Sequence, residues 1–256
     1  CAEAADAFVT IYAEDWEEEP QGWTIPQHPV VPEDWEDKPW ELTTIPLPEG
    51  RPGRAVFAPN PHTGNCISNI QSGAVSLTSP PITLPANFTN YQLQFSHYYS
   101  IEPESDGAVL NYRVAGTDNF IPVPPQAFVF NGYDDALLPA VINDNPLAGR
   151  QAFTGANEQS NAGSWGESIV DLSVLALQPG AAFQLQWTLG QDGCDGMLGW
   201  YVDDITIGFC GAPALPVTYL SFNAVAGKEH VDLLWETTRE ENNVGFHLER
   251  AYRGGF

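Results

Sequence analysis

Two adjacent carboxylates, Asp203 and Asp204, sit inside a stretch that reads as a β-strand, Gly199 to Phe209. Carboxylates are poorly placed in sheets and costly to bury alone, so the pair asks for a cation or for amide donors. A hard ion held by carboxylates and backbone carbonyls is one answer, and turn amides are the other. In the alternating frame Val202 faces the core, and Asp204 shares its face unless a bulge re-aims it. Ahead of the strand lies a loop holding Asp192, Cys194 and Asp195. A second acidic cluster, Glu102, Glu104 and Asp106, follows the strand that carries His97. Paired carboxylates about 5 to 9 Å apart can hydrolyse glycosides. A turn rich in acceptors, or a further cation site, fits this cluster better. His97 falls on an apolar face and reads as a hydrogen-bonded core histidine. Trp35, Trp40 and Tyr133 are candidates for a ligand-binding surface on which a sugar ring or a partner stacks, although a tryptophan in a proline-rich loop more often folds back over the sandwich edge.

No HExxH, GxSxG, P-loop or GxGxxG motif occurs, and no Cys/His nucleophile pair stands out, so the chain reads as non-enzymatic with respect to familiar chemistries. The histidines (His28, His62, His97, His230, His247) are scattered and no CxxC pair exists, which argues against zinc.

The elements that must position these residues are strands. Phe183 to Leu189 alternates strictly, and Leu93, Phe95, His97 and Tyr99 oppose Gln92, Gln94, Ser96 and Tyr98. Ala74–Leu77, Gly107–Val114 and Ala127–Phe130 read as further strands, and Phe8–Trp16 as the first. Asp171–Leu177 hints at a helical turn. Pro20 to Pro61 is proline-rich and irregular, the kind of long connection that packs on a surface. The 256 residues include 23 glycines and 22 prolines, a turn-rich profile suited to an all-β chain. The 33 acidic residues against 9 basic ones give a net charge of -24, which repels nucleic acid and favours cations or basic partners. No apolar run reaches the roughly 18 residues of a membrane span. Four cysteines fit an exported protein with two disulfides. Cys1 also admits the reading of a lipid-modified lipoprotein cysteine.

Taken in order, YAEDWEEEPQGW (Tyr12–Trp23), LTSPPITL (Leu77–Leu84), LQFSHYYSIEPESDGAVLNY (Leu93–Tyr112), FNGYDDALL (Phe130–Leu138), PLAGRQAFTG (Pro146–Gly155) and DGCDGMLGWYVDDI (Asp192–Ile205) form a series. It resembles the MAM-like jelly-roll domains of the cleaved-adhesin and choice-of-anchor type, found on secreted bacterial proteins. The resemblance implies a jelly-roll β-sandwich over residues 1–211 and brings Glu17 on the first strand towards Asp203 and Asp204, with calcium as the bound ion. It also implies a non-catalytic adhesion or assembly role outside the cell or at a bacterial surface, with a glycan or protein partner or self-assembly. A carbohydrate-binding accessory module of a larger secreted protease or glycosidase is the first alternative, and a structural subunit of an extracellular filament the second. After Gly211–Pro216, residues 217–256 resemble the Ig/fibronectin-III-like module of Bacteroidetes type IX secretion. Val231, Leu233 and Trp235 alternate there with polar residues, GFHLER reads as another strand, and the sequence stops inside the module.

That topology also carries a disulfide expectation. Cys194 precedes the last jelly-roll strand and Cys210 follows its far end, about 33 Å away along an extended chain. A disulfide needs Cα atoms within about 7 Å. If the first strand lies antiparallel beside the last, Cys1 pairs with Cys210 and leaves Cys66 for Cys194.

Overall fold

The alternating segments pair into two facing antiparallel sheets. The computed structural model describes residues 7–43, 46–85, 90–156, 163–175, 177–178, 180–211, 217–227 and 230–240. Its first strands are β1 (Ala7–Glu14), β2 (Gln27–Pro29), β3 (Glu41–Leu42), β4 (Val56–Pro59), β5 (Gly73–Thr78) and β6 (Ile82–Thr83). Next come β7 (Tyr91–Ser100), β8 (Gly107–Val114), β9 (Ile121–Pro122), β10 (Phe128–Phe130), β11 (Asp135–Ala136) and β12 (Gln151–Ala152). The last are β13 (Gly166–Asp171), β14 (Ala182–Gln191), β15 (Gly199–Gly211), β16 (Val217–Ala226) and β17 (Val231–Glu240).

One sheet runs β10-β13-β7-β15-β4-β3, with β1 also paired to β15. The other runs β2-β5-β14-β8-β9, with β6 also on β14. Their inner faces interdigitate as alternation requires. Leu93 and Phe95 of β7 and Val202, Ile205 and Ile207 of β15 meet Leu185, Trp187 and Leu189 of β14 in one buried cluster. The Phe95 and Trp187 rings stand edge to face across the layer, 5.8 Å apart. The protein is an all-β jelly-roll sandwich. The expected helical turn is a short 3-10 segment, Leu172–Leu175.

The face conflict at the paired aspartates is resolved by a bulge. Pairing of β15 with β7 shifts register between Asp203 and Thr206, and Asp204 takes a positive φ of 48°. Asp203 stays buried, Asp204 turns out to solvent, and Ile205 regains the core face. The proline-rich segment is less irregular than its composition implies. It contributes β2 and β3 and sends Trp40 into the core.

The chain divides into two compact units, Phe8–Cys210 and a second that contains β16 and β17. Those two strands form an antiparallel hairpin. The GFHLER segment lies outside the described residues.

Candidate metal centre

The β8–β14 register ends at Gly107 opposite Gly190, which sets Asp106 against Gln191 one step further on. Both continue an inward-facing row: Asp106 follows Ala108 and Leu110, and Gln191 follows Trp187 and Leu189. The sequence therefore drives two polar side chains between the sheets, and both are buried. The facing sheet supplies Asn60, just after β4, and Glu102, just after β7.

Asp106 Oδ2 accepts from Asn60 Nδ2 at 2.6 Å, and its Oδ1 accepts from the Asp192 backbone N–H at 2.7 Å. Asn60 Oδ1 in turn accepts from the N–H of Glu102 and of Met197. Gln191 Nε2 donates to Pro59 O at 2.8 Å. Its Oε1 is buried and meets no donor among the described residues, and the same holds for Glu102 Oε2. Carboxylate oxygens of Glu102, Asp106 and Asp192 all lie within 4.8 Å of one another. No described Lys, Arg or His forms an ion pair with any of the three. This acidic triad can hold a metal ion.

The electrostatics are those of unneutralised, desolvated carboxylates. Burial, then the nearby Asp192, pushes Glu102 up to about 7. Burial pushes Asp106 up to about 8, and Asp192 is raised for the same reason. Lys38 is the nearby cation. Its Nζ is committed to Gln71 Oε1 at 2.9 Å and Thr63 Oγ1 at 3.3 Å, and lies 3.7 Å from the Trp35 ring centroid. Burial lowers it to about 8.

Four loops converge here. Asn143 and Asn145 donate to Ser105 O, Gly64 donates to Gly193 O, and Cys66 and Cys194 are disulfide-bonded with Cα atoms 5.0 Å apart. Asp195 stands beside that bond, but the sulfurs are spent on each other. On these pinned loops Ile67 is 95% exposed, Val141 84% and Ile142 67%, with Met197 and Leu198 also open to solvent.

The structure does not gather Glu17, Asp203 and Asp204 into one ligand set. Arg51 takes the cation's part: its Nε donates to Asp203 Oδ2 at 2.8 Å and its Nη2 to Asp204 Oδ2. The guanidinium also lies over the Trp165 ring at 4.3 Å. Glu17 accepts the Arg54 N–H at 2.9 Å and lines an open cleft of about 500 Å3 with Tyr12, Glu14 and Asp15. The aromatic residues take the packed arrangement that a proline-rich setting favours. Trp40 is buried with Nε1 on Val75 O, Trp35 rests on Gly73 and donates to Gln27, and the Tyr133 hydroxyl bonds the Leu110 and Val123 carbonyls. Trp40 is fully buried, and Trp35 and Tyr133 are half-buried against the sandwich. Glu104 is exposed and stands outside the triad. His97 is the core histidine expected, accepting from Trp200 Nε1 through Nδ1. The Cys1–Cys210 pairing falls on side chains outside those described.

Asp192 and Asp106 were both visible as acidic loop residues, but nothing local joins them. Gln191 and Asn60 carry no motif of their own. Extending the Phe183–Leu189 alternation by one step exposes Gln191 as a polar residue on an apolar face.

Among the described residues no helix is long and apolar enough to cross a membrane. No protein-family model matches the chain, and no curated protein matches it. Among solved structures it is similar to the K1 cleaved adhesin domain of Lys-gingipain from Porphyromonas gingivalis, at 17% identity and a TM-score of 0.43, over 78% of this chain and 98% of that one. The K3 cleaved adhesin domain of the same protein aligns at 20% identity and 0.42, over 78% and 99%. The CBM22-1 xylan-binding domain from Paenibacillus barcinonensis aligns at 13% identity and 0.38, over 80% and 97%.

Proposed function

We propose that the Phe8–Cys210 unit is a non-catalytic, extracellular binding module that serves adhesion or assembly at a bacterial surface and meets its partner with the loop end of the sandwich. One observation carries this reading: Ile67, Val141 and Ile142 are held in water on loops fixed by a disulfide and by side-chain hydrogen bonds. Apolar side chains displayed on a rigid frame lose little entropy on docking and gain by burial. They are aliphatic, which suits a protein partner. Of the aromatic candidates for stacking on a sugar, Trp40 is buried and Trp35 and Tyr133 are half-buried, so glycan binding is the second reading. Calcium is the ion assigned to the module, as an extracellular cation that takes oxygen ligands.

The test is binding of the labelled 256-residue chain to bacterial cells before and after protease or glycosidase treatment, beside a glycan array with and without calcium. Protease-sensitive binding, weakened at least ten-fold by Ile67→Glu with Val141→Glu, is expected. Binding confined to glycans and indifferent to both substitutions would replace the protein reading with the carbohydrate-binding one. Turnover of a bound glycan or peptide would overturn the non-catalytic assignment.

A further inference from the structure

We infer that a divalent cation of the calcium class binds between the two sheets, held by the carboxylates of Glu102, Asp106 and Asp192 and by the side-chain carbonyl of Gln191, and that it closes the open end of the sandwich. The acidic cluster alone would not carry this. The independent observation is Gln191, whose side chain is fully buried while its Oε1 has no donor. The register puts that side chain directly across from Asp106 on the same inward face, and Nε2 anchors it to the Pro59 carbonyl beside Asn60. A buried carbonyl oxygen without a donor is costly, and a cation is the species that satisfies it together with three carboxylates. Glu102 Oε2 is orphaned in the same way.

A water can donate to both orphaned oxygens, Gln191 Oε1 and Glu102 Oε2, but brings no charge to offset three carboxylates whose oxygens lie within 4.8 Å of one another. Lys38 is engaged by Gln71 and Thr63, and acts on Asp106 only through its field. Asp144 and Asp195 add negative potential around Asp192. All the ligand atoms are oxygens, none is nitrogen or thiolate, and they come from separate loops and strands, which selects calcium over zinc and, by its loose geometry, over magnesium. Because Glu102 belongs to one sheet and Asp106, Gln191 and Asp192 to the other, the ion ties the two layers together where they open.

The inference gives the calcium of the proposed function a place and rests on that reading only for the identity of the ion. Its test is calorimetric titration of calcium chloride, and separately magnesium chloride, into the EDTA-stripped and desalted 256-residue chain, with melting curves alongside. A saturable one-site response to calcium, weaker for magnesium, and a raised midpoint are expected. Glu102→Gln and Gln191→Met should each weaken calcium at least ten-fold, whereas Asp203→Asn should leave it unchanged. Glu102 is only partly buried, so its variant stays informative even where Asp106→Asn fails to fold. No saturable calcium response, unchanged affinity in both variants, or loss of binding in Asp203→Asn would each overturn the site. Calcium binding without cell-surface binding would leave the site standing and remove the proposed function; the reverse would do the opposite.

Discussion

Asp192 gives its backbone N–H to the carboxylate of Asp106 at 2.7 Å, joining the exit of β14 to the entrance of β8. The bond extends the β8–β14 ladder past its last paired residues. Asn145 reaches the same carboxylate oxygen at 3.4 Å, so the loop after Pro139 is part of one network with the strands. Asp106 and Asp192 are both placed through this corner, and Glu102 is held from the facing sheet by Asn60.

Space at the corner depends on Gly190. A Cβ there would meet the Asn145 side-chain oxygen and come within 2.7 Å of the Leu147 side chain. Gly190→Ala should displace that loop and cost about 1–3 kcal/mol, the usual range for overpacking. Urea unfolding measures the loss, and a midpoint equal to that of the parent would show that the loop yields freely.

Arg51 answers for the buried carboxylate of Asp203, which burial holds above its ordinary range in spite of the guanidinium. Arg51→Ala leaves that carboxylate unpaired and removes the contact with Trp165. Since Arg51 is partly solvated, a loss of about 2–3 kcal/mol is expected, somewhat below that of fully buried broken pairs. Asp203→Asn in the Arg51→Ala background should restore part of it. No recovery in the double variant would mean that packing on Trp165, and not charge, is what Arg51 provides.

The Cys66–Cys194 bond closes a loop of 128 positions beside the Asp192 backbone. Removing it releases that loop in the unfolded chain, at about 2–5 kcal/mol. The Cys194 N–H also binds Asp192 Oδ1 at 2.8 Å, so the triad should loosen with it. Thermal melting of Cys66→Ala/Cys194→Ala isolates this bond from the other cysteines. An unchanged midpoint and unchanged calcium titration would show that the loop is held by hydrogen bonds alone.

What could be read in the sequence follows from how local each signal is. Phe183–Leu189 and Leu93–Tyr99 alternate, so their strands and inner faces are legible, whereas at Asp204 the frame set by Val202 shows a conflict of faces and leaves the bulge open. The cross-sheet partners are not legible. Arg51 lies 152 positions from Asp203, and Asp106 lies 86 from Asp192. No periodicity relates them; only the strand order does. Trp40 misleads for a similar reason: its proline-rich neighbourhood looks like a surface loop, but β3 pairs with β4 and carries the ring to Trp200, 5.4 Å away. The acidic loop at Glu102–Asp106 was legible as a turn with many acceptors, whereas its completion by Gln191 needed the β8–β14 register.

His97 gives the pH dependence of the core. Trp200 Nε1 can only donate, so Nδ1 is bare and the ring proton sits on Nε2, facing Ser168 Oγ at 3.0 Å and the Asn131 side-chain amide at 3.1 Å, which must turn its oxygen to the ring. Ser168 passes its own proton to Asn131 O at 2.6 Å. Protonating Nδ1 would set two donors against each other in a dry site, and burial accordingly lowers the imidazole to about 3. The unfolded histidine titrates near 6.5, so between these values the unfolded chain binds the extra proton. This contribution to stability is complete above about pH 6.5 and drains away as the pH falls, by up to about 1.4 kcal/mol per pH unit. The raised carboxyls of Glu102 and Asp106 pull the other way, stabilising the fold at low pH, so the histidine must be read by difference. His97→Gln keeps an acceptor for Trp200 and a donor for Ser168 without titrating. The unfolding free energies of parent and variant should run parallel above pH 7 and diverge in favour of the variant below pH 6. Curves that stay parallel down to pH 4 would mean that His97 keeps its proton in the folded core.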